Sequence, residues 1–441
     1  MNICMMTNTY LPHVGGVARS VQTFAEDYRR LAHKVLVVAP TFPDQPDSSA
    51  EEEDHVVRIP ALQKFNGSDF SVRLPLTSAF SSRLHDFQPD IVHSHHPFLL
   101  GDTALRFASN AGAPVVFTHH TLYEQYTHYV PFDSQRLKRF VIELSTHYAN
   151  LCDAVIAPSR DIARLIKQRG VSVPIEVIPT GIDVTALSNG DRNRFRKTHN
   201  IPPKAFVIGH VGRLAPEKNL AFLARAVSIF LREHSKARFL IVGDGPVSRG
   251  IRSHCRRRGV HEQLILAGRQ TGQDLIDAYA AMDAFAFSSF SETQGMVVAE
   301  AMAAGLPVIA LDASGVREVV RDKQNGFLLN ARSTPGDFAD ALQAVHGSPQ
   351  LRRRLCESAS RTARKFSRER SAGKALKLYK KVIRQDRRDR KAVRADPWAG
   401  LLKRVQIEWD LLSRKTEFAF HGFLAEPESS NPRRPRPRKQ S

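Results

Sequence analysis

Short apolar runs alternate along the first 365 residues with segments whose apolar side chains recur every three or four positions. The second pattern is clearest in residues 14–31, where it predicts a helix with one buried face. The residues expected on that face are Val17, Val21, Phe24, Tyr28 and Leu31. Segments 2–8 and 33–40 flank this helix and are typical of strands, so strand and helix alternate from the start.

Further apolar runs end in polar or glycine-containing loops, and most of them are apolar on both faces. In the first half of the chain these predicted strands are 91–96, 114–120, 154–159 and 175–181. In the second half they are 205–213, 237–246, 263–269, 284–289 and 307–311. Strands buried on both faces lie between layers of helices, which predicts parallel sheets.

The alternation restarts at Ala205, after a polar segment with two prolines at 183–203 that we interpret as a linker. A chain of 441 residues is also too long for a single core. We therefore predict an α/β protein with two doubly wound domains, residues 1–188 and 200–365, facing each other across a cleft.

The pattern changes after Phe366. Residues 366–390 predict a basic helix that crosses back to the first domain, and 391–441 predict a basic extension with a disordered end. Within the extension, 400–418 predict a helix with an apolar stripe formed by Leu401, Leu402, Val405, Trp409 and Leu412. This extension could be a membrane anchor, a partner helix or dispensable.

Composition narrows the class of protein. No run of 18 apolar residues occurs, and the N-terminus lacks the pattern of a signal peptide, so we expect a cytoplasmic protein. Four scattered cysteines favour a reducing compartment over a disulfide framework or zinc site. The net charge of +20 is compatible with binding to nucleic acid, with binding to an anionic membrane surface, or with a role in solubility alone.

Two loops carry residues suited to bind an anion. Gly15 and Gly16 precede the first helix, where free N–H groups and the helix dipole favour negative charge, although such glycines are often only structural. Arg213 and Lys218 follow the first strand of the second domain, where two cations could hold a pyrophosphate and stabilise a leaving diphosphate. The other interpretation of these cations is an ordinary solvated surface.

Histidines end two predicted strands: His93, His95 and His96 in one, His119 and His120 in the next. Because adjacent strand residues point to opposite faces, His119 and His120 are not expected to share a metal ion. No carboxylate or cysteine accompanies them at a ligating spacing, so we expect no metal. A single histidine that faces the cleft and hydrogen-bonds a substrate is the favoured interpretation.

Glu292 and Glu300 lie eight residues apart, where the strand 284–289 turns into a helix. Ligands of open α/β sheets bind at this edge, so both carboxylates could face one crevice. The spacing alone is weak, since two solvated glutamates on a helix are common.

Together, the Gly-Gly loop, THHT, GRLAPEKN, VGDGP and the pair Glu292–Glu300 resemble glycosyltransferase family 4, over about residues 1–385. The resemblance implies the GT-B fold, with two facing Rossmann-like domains, a retaining reaction and no metal or other cofactor. It also implies that a nucleotide sugar binds mainly to the second domain and an acceptor to the first.

Residue by residue, the resemblance implies that His120 contacts the transferred sugar and that Arg213 and Lys218 hold the diphosphate. Glu292 would bind the donor hexose, with the backbone at Gly295, Met296 and Val297. Glu300 would bind the ribose hydroxyls, and Arg269, in the loop Gly268–Gln270, would border the base. Retention then fits attack and departure on one face of the sugar, with Glu292 as a positioning and electrostatic residue.

Residues 119–131 and Gln294 look similar to bacterial diacylglycerol glucosyltransferases, although 122–131 could instead be a loop that packs its own aromatic residues. This similarity implies glucose transfer from UDP-glucose to a membrane lipid by a peripheral protein. Basic amphipathic surfaces at 136–148 and 401–418 could dock on anionic lipid, or be ordinary packing helices.

Other functions remain open on sequence grounds. Within the family, the acceptor could be a soluble or polyprenyl-linked sugar, or the donor GDP-mannose. A basic nucleic-acid-binding protein is the alternative from another class, but no recognised binding motif is present, so no specific nucleic acid is expected. A nicotinamide-dependent oxidoreductase is disfavoured because the glycine fingerprint is missing.

Overall fold

The structure is a computed structural model that describes residues 1–13, 15–41, 55–59, 61–62, 72–73, 83–84, 86–125, 134–290 and 292–393. The predicted helix at 400–418, the tail beyond it and residues 126–131 lie outside the described residues. The description below concerns the compact unit Met1–Asp389.

Two parallel sheets form the framework of this unit. The first contains, in spatial order, β3 (Val56–Ile59), β2 (Lys34–Pro40), β1 (Asn2–Met6), β6 (Ile91–Ser94), β7 (Val115–Thr118), β8 (Ala154–Ala157) and β9 (Ile175–Val177). The second contains β12 (Leu264–Gly268), β11 (Arg238–Val242), β10 (Val207–Val211), β13 (Ala284–Phe287), β14 (Val308–Leu311) and β15 (Gly326–Leu329). A separate antiparallel pair joins β4 (Ala61–Leu62) to β5 (Val72–Arg73). The predicted α/β architecture with two doubly wound domains is confirmed.

The helices cover both faces of the sheets. Those of the first domain are α1 (Gly16–Arg30), α2 (Leu100–Ala111), α3 (Gln135–Asn150) and α4 (Arg160–Gln168). Next come α5 (Val184–Ser188), α6 (Arg192–Thr198), α7 (Leu220–Glu233), α8 (Ser248–Arg257), α9 (Gly272–Ala280) and α10 (Met296–Ala303). The last are α11 (Ser314–Arg317), α12 (Pro335–Gly347), α13 (Pro349–Ala363) and α14 (Arg368–Val393).

Alternate residues of the second sheet pack into two different cores, as expected for strands buried on both faces. In β13, Phe285 and Phe287 belong to one apolar cluster, together with Val298 of α10. Ala284 and Ala286 face the opposite cluster, which α7 and α12 complete. The sequence run is therefore apolar throughout because neither face meets water.

The last helix of the described residues, α14, completes the core of the first domain. Its residues Ala372, Ala375 and Tyr379 are fully buried and pack in one cluster with Ile3 of β1 and Tyr28 of α1. The Tyr379 and Tyr28 hydroxyls are 3.0 Å apart and hydrogen-bonded. The chain thus returns to its first domain after it has built the second.

Some expectations were wrong in detail. Strands β3, β4 and β5 were not predicted, since their apolar runs are very short. Leu31, expected on the buried face of α1, is 49% exposed because the helix ends at Arg30. The segment interpreted as a linker holds α5 and α6, which pack against α9 of the second domain.

Candidate active site

Both sheets reverse their strand order at one point, between β1 and β6 and between β10 and β13. In open parallel sheets, ligands bind in the crevice beyond the carboxyl ends of the strands at this point. The loops that leave these four strands hold the Gly-Gly turn, the first histidine cluster, Lys218 and Glu292. The topology alone therefore indicates that a ligand binds at the carboxyl ends of these four strands.

Lys218 and Glu292 form the central ion pair. The Lys218 Nζ lies 2.6 Å from Glu292 Oε1, and the two side chains are only 19% and 15% exposed. Lys218 ends a short 3₁₀ turn, Pro216–Lys218, after β10, and Glu292 follows β13. The Ser288 hydroxyl joins the two loops, since it donates to the carbonyls of Lys218 and Asn219 at 3.1 Å. These two predicted residues are therefore in direct contact beyond the carboxyl ends of β10 and β13.

Arg213 lies on the same loop as Lys218, but its guanidinium pairs with Glu217 at 2.6 Å. Its side chain is half exposed, whereas Glu217 is largely covered. The structure thus places both predicted cations beyond β10, each with its own carboxylate partner. Arg213 is the more accessible of the two.

The start of α10 has an unusual backbone. Gly295 caps the helix with a φ of +74°, a left-handed conformation that favours glycine. A Cβ at Gly295 would also lie 2.9 Å from the carbonyl oxygen of Gly315. Met296 and Val297 occupy the first turn, where helix N–H groups lack intrahelical acceptors and attract negative charge.

The first domain contacts this helix start directly. The Thr293 hydroxyl donates to the carbonyl of His120 at 2.9 Å. The side-chain amide of Gln294 makes two hydrogen bonds with the backbone of Thr180, accepting from its N–H at 2.7 Å and donating to its carbonyl at 2.8 Å. Thr293 and Gln294 therefore connect the loop that follows Glu292 to the backbone of the first domain at His120 and Thr180.

The imidazole of His120 is held by a second histidine. Its Nε2 lies 2.9 Å from Nδ1 of His95, and the two rings are stacked. Burial lowers the pKa of both imidazoles well below the usual value, and neighbouring imidazoles lower it further. Both rings are therefore neutral at physiological pH, and His120 can donate or accept a hydrogen bond without carrying charge.

The other histidines of the cluster have structural partners. His93 bonds to the Thr118 hydroxyl and, through its other nitrogen, to Tyr379 of α14, both at 2.6 Å. His96 Nδ1 accepts the backbone N–H of Asn8 at 3.1 Å. Burial lowers the pKa of His93 and His96 to about 3. These imidazoles therefore brace the loops rather than face the cleft.

His119 and His120 differ from the expectation in one respect. Strand β7 ends at Thr118, so neither residue is part of the strand, and alternation along a strand does not explain their orientations. His119 instead packs edge-on against Phe117 and Tyr123, and burial lowers its pKa to about 4. In the part of the chain that the structure describes, no group of three or more His, Cys, Asp or Glu residues could hold a metal ion.

Glu300 is buried and has two protein partners. The guanidinium of Arg19, on α1 of the first domain, lies 2.9 Å from Oε1, and the hydroxyl of Tyr279 donates to Oε2 at 2.8 Å. Glu300 is only 1% exposed, and a buried carboxylate requires such partners. The structure gives Glu292 and Glu300 separate partners, Lys218 for one and Arg19 with Tyr279 for the other.

The remaining predicted residues make fewer contacts. Gly15 is extended, with a φ of −162°, and no described atom lies within 4 Å of a Cβ built at Gly16. The backbone therefore does not demand glycine here, and space remains beside the helix start. Arg269 is exposed, and its backbone N–H donates to Asp244 at 3.0 Å, beside Gly268 at the end of β12.

Sequence reasoning missed Arg19, Thr180 and Tyr279, and it noted Gln294 only as a departure from a motif. Arg19 and Ser20 are adjacent on α1, and the Ser20 hydroxyl bonds to that of Thr180 at 2.7 Å. The partners of these residues are more than 100 positions away in the sequence, except for Tyr279 and Glu300. Only the location of Arg19 beside the Gly-Gly turn could have suggested a role.

Comparisons with known proteins agree with the two-domain fold. The model of Glycosyltransferase Family 4 matches residues 14–186, and the model of Glycosyl transferases group 1 matches residues 191–362. The structure of HepE from Anabaena in complex with UDP has a TM-score of 0.66 and 20% identity, covering 86% of this chain and 100% of that one.

Two curated relatives are similar over most of their length. The alpha-monoglucosyldiacylglycerol synthase of Streptococcus pneumoniae is 29% identical over 362 residues, which are 80% of each chain. The GDP-mannose-dependent alpha-mannosyltransferase of Mycobacterium tuberculosis is 31% identical over 346 residues, 78% of this chain and 87% of the relative. The chain therefore belongs to the family 4 glycosyltransferases, with the two-domain GT-B fold.

Proposed function

We propose that this protein transfers glucose from UDP-glucose to a membrane lipid such as diacylglycerol, with retention of configuration. The observation that carries the proposal is the cluster of residues that precedes α10. There Glu292, paired with Lys218, lies four residues before the first helical residue, Met296, and the backbone carbonyl of His120 from the other domain accepts from Thr293. This arrangement suits a sugar diphosphate, which needs cations and N–H donors at one end and hydrogen bonders at the other.

Each residue then has a distinct task. Lys218 and Arg213 bind the diphosphate and stabilise the charge that grows as it leaves. The backbone at Gly295, Met296 and Val297 binds a phosphate oxygen at the helix start. Glu292 accepts hydrogen bonds from the hexose and fixes Lys218, while the neutral His120 bonds to a sugar hydroxyl.

The reaction proceeds on one face of the sugar. The bond between the anomeric carbon and the diphosphate oxygen breaks, and the acceptor hydroxyl oxygen forms its bond to the same carbon from the same side. The acceptor proton passes to an oxygen of the departing diphosphate. No protein nucleophile and no metal take part in this scheme.

The lipid acceptor is supported by two observations. Relatives from Streptococcus pneumoniae and Acholeplasma laidlawii are both alpha-monoglucosyldiacylglycerol synthases, the latter 26% identical over 394 residues. The first half of α3 also has exposed Arg136 and Arg139 beside half-buried Leu137, Phe140 and Val141. Such a surface suits peripheral contact with anionic lipid. No helix among the described residues has the length and hydropathy needed to cross a bilayer.

A donor and acceptor screen tests this proposal. Purified protein is given UDP-glucose or GDP-mannose, with diacylglycerol in neutral vesicles, in anionic vesicles, or with a soluble sugar acceptor. We expect glucosyl transfer only with the vesicles, and more with the anionic ones. Full activity on soluble sugars without lipid would contradict the lipid acceptor.

A second candidate function uses GDP-mannose. It is favoured by the mannosyltransferase relative, whose 31% identity is close to that of the lipid glucosyltransferase. The same screen separates the two, because the anomeric proton of an α-glucosyl product differs from that of a mannosyl product by NMR. That spectrum also reports whether configuration is retained.

A further inference from the structure

One buried contact joins the two domains at Glu300, the carboxylate that the family resemblance implies for binding of the nucleotide ribose. Glu300 lies on α10 of the second domain, whereas Arg19 lies in the first turns of α1 of the first domain. Their 2.9 Å ion pair therefore exists only while the domains are close together. The neighbouring Ser20–Thr180–Gln294 hydrogen bonds strengthen the same junction.

Both oxygens of Glu300 are engaged by the protein itself. Oε1 faces Arg19 and Oε2 accepts from Tyr279, while almost none of the side chain is exposed. A ribose that binds this carboxylate with its hydroxyl groups must therefore move one of the two partners. A carboxylate can accept several hydrogen bonds, but it needs open space for a new donor.

The two partners differ in how easily they can leave. Tyr279 is fully buried in the apolar cluster behind β13, on α9 of the same domain as Glu300. Arg19 has a side chain that is 48% exposed and belongs to the other domain. A rotation of the long Arg19 side chain, or a small opening of the cleft, uncovers Oε1 without disturbing a core.

We propose that Arg19 is a gate on the donor site, whose guanidinium competes with the nucleotide ribose for Oε1 of Glu300. This inference rests on the proposed function, since it takes a nucleoside diphosphate as the ligand, and on the expectation that Glu300 binds the ribose of that ligand. Donor binding is then linked to the domain contact: the ribose replaces Arg19, and release of the nucleotide restores the ion pair. The ribose binds only when the Arg19–Glu300 ion pair has broken. The free energy of nucleotide binding is therefore less favourable by the free energy that stabilises this ion pair.

The test measures UDP binding by titration calorimetry in the wild type and in Arg19→Met, which keeps bulk but removes the charge and donors. We expect Arg19→Met to bind UDP about tenfold more tightly, equivalent to about 1.4 kcal/mol. Arg19→Lys, which keeps a charge but not the planar donor pair, should give an intermediate gain. Arg257→Met is the control, because Arg257 is exposed on α8 and contacts Ser253 of its own helix.

A second ligand tests whether the tighter binding by Arg19→Met depends on the ribose hydroxyls. With 2′-deoxy-UDP, which lacks one hydroxyl, the difference between wild type and Arg19→Met should shrink. In Arg19→Met/Glu300→Gln, the gain for UDP should also shrink, as a coupling between the two residues requires. Thermal unfolding of each variant verifies that it is folded.

Unchanged or weaker UDP binding by a folded Arg19→Met, alongside normal transfer in Arg257→Met, would overturn the gate while leaving the proposed function intact. If Arg19→Met raises the affinity for 2′-deoxy-UDP as much as that for UDP, the gate is likewise overturned and the proposed function stays intact. If the wild type and Arg19→Met bind neither UDP nor GDP, both the gate and the proposed donor are overturned.

Discussion

The two domains share a strand order yet present different chemistry at the same place. Beyond β6 and β7, the first domain presents His95 and His120, imidazoles that burial keeps neutral. Beyond β10 and β13, the second domain presents Lys218 and Glu292 as an ion pair, with Arg213 and Glu217 beside it. One topology thus places neutral imidazoles at the strand ends of one domain and charged pairs at those of the other, while a cation of the first domain, Arg19, is paired with Glu300.

This difference suits a transfer in which only one reactant is highly charged. A diphosphate needs cations, and an acceptor hydroxyl needs hydrogen bonders that do not compete for that charge. A protonated imidazole on the acceptor side would attract the diphosphate away from the second domain. Burial of the histidine cluster prevents this, because desolvation disfavours the charged form.

Removal of a charge from the second domain should have the largest effect. In Glu292→Gln, Lys218 loses its ionic partner, and in the proposed site the hexose loses a strong acceptor. We therefore expect transfer to fall by about 10²- to 10³-fold with little loss of stability. Turnover at saturating donor and the melting temperature provide the two measurements. Glu217→Gln, in the neighbouring pair, should lose much less, and a near-normal rate in Glu292→Gln would remove that residue from the site.

The matching change in the first domain is His120→Gln, for which we expect a loss of about 10²-fold. His119→Gln is the paired control, since His119 packs against Phe117 and Tyr123 and should change the rate far less. Because the pKa of His120 is far below the usual range, the wild-type rate should show no histidine step between about pH 6 and 8. A step that disappears in His120→Gln would show that this imidazole titrates.

The contact between the domains predicts a smaller, structural effect. Gln294→Leu leaves the buried N–H and carbonyl of Thr180 without their partner, which costs about 1–3 kcal/mol. We expect a lower melting temperature and a rate reduced by about tenfold, with UDP binding largely retained. Gln294→Glu keeps an acceptor for the Thr180 N–H but loses the donor to the Thr180 carbonyl. Its melting temperature should therefore lie between those of the wild type and Gln294→Leu. Equal stability in all three proteins would mean that water replaces the amide.

The buried histidine cluster also predicts a pH dependence of stability. His96 has a pKa of about 3 in the folded protein, whereas an unfolded chain titrates near the usual 6.5. As the pH falls below about 6.5, the unfolded state gains a proton that the folded state does not, so stability declines down to about pH 3. His96→Asn should reduce that slope by up to about 1.4 kcal/mol per pH unit, measured from urea unfolding at several pH values. An unchanged slope would indicate that His96 is accessible to protons.

The sequence predicts the sheets well and the contacts between domains poorly. Runs such as 284–289 are apolar on both faces, and burial on both faces follows from local pattern alone. The proximity of Lys218 and Glu292 could also be predicted from the sequence, because the carboxyl ends of parallel strands meet at one edge of the sheet. By contrast, the pairing of Gln294 with Thr180 joins residues 114 positions apart and depends on how two finished domains meet.

Glu300 and the histidines illustrate two other limits. Eight-residue spacing suggested that Glu292 and Glu300 act together, but nothing local indicates that Arg19 reaches Glu300 from the other domain. Likewise, the hydrogen bond between Tyr379 and His93 links positions 286 residues apart. Such contacts are set by the return of α14 to the first domain, which local periodicity does not encode. The role of the extension beyond residue 393 stays a prediction.

The return of α14 has a consequence for synthesis on the ribosome. Ala372, Ala375 and Tyr379 fill the core beside β1 and α1, so the earliest-made sheet lacks part of its cover until the ribosome has passed them. During that interval the nascent domain presents an apolar surface that a chaperone could bind. Premature termination before α14 would leave that surface permanently uncovered and the shortened product prone to aggregate.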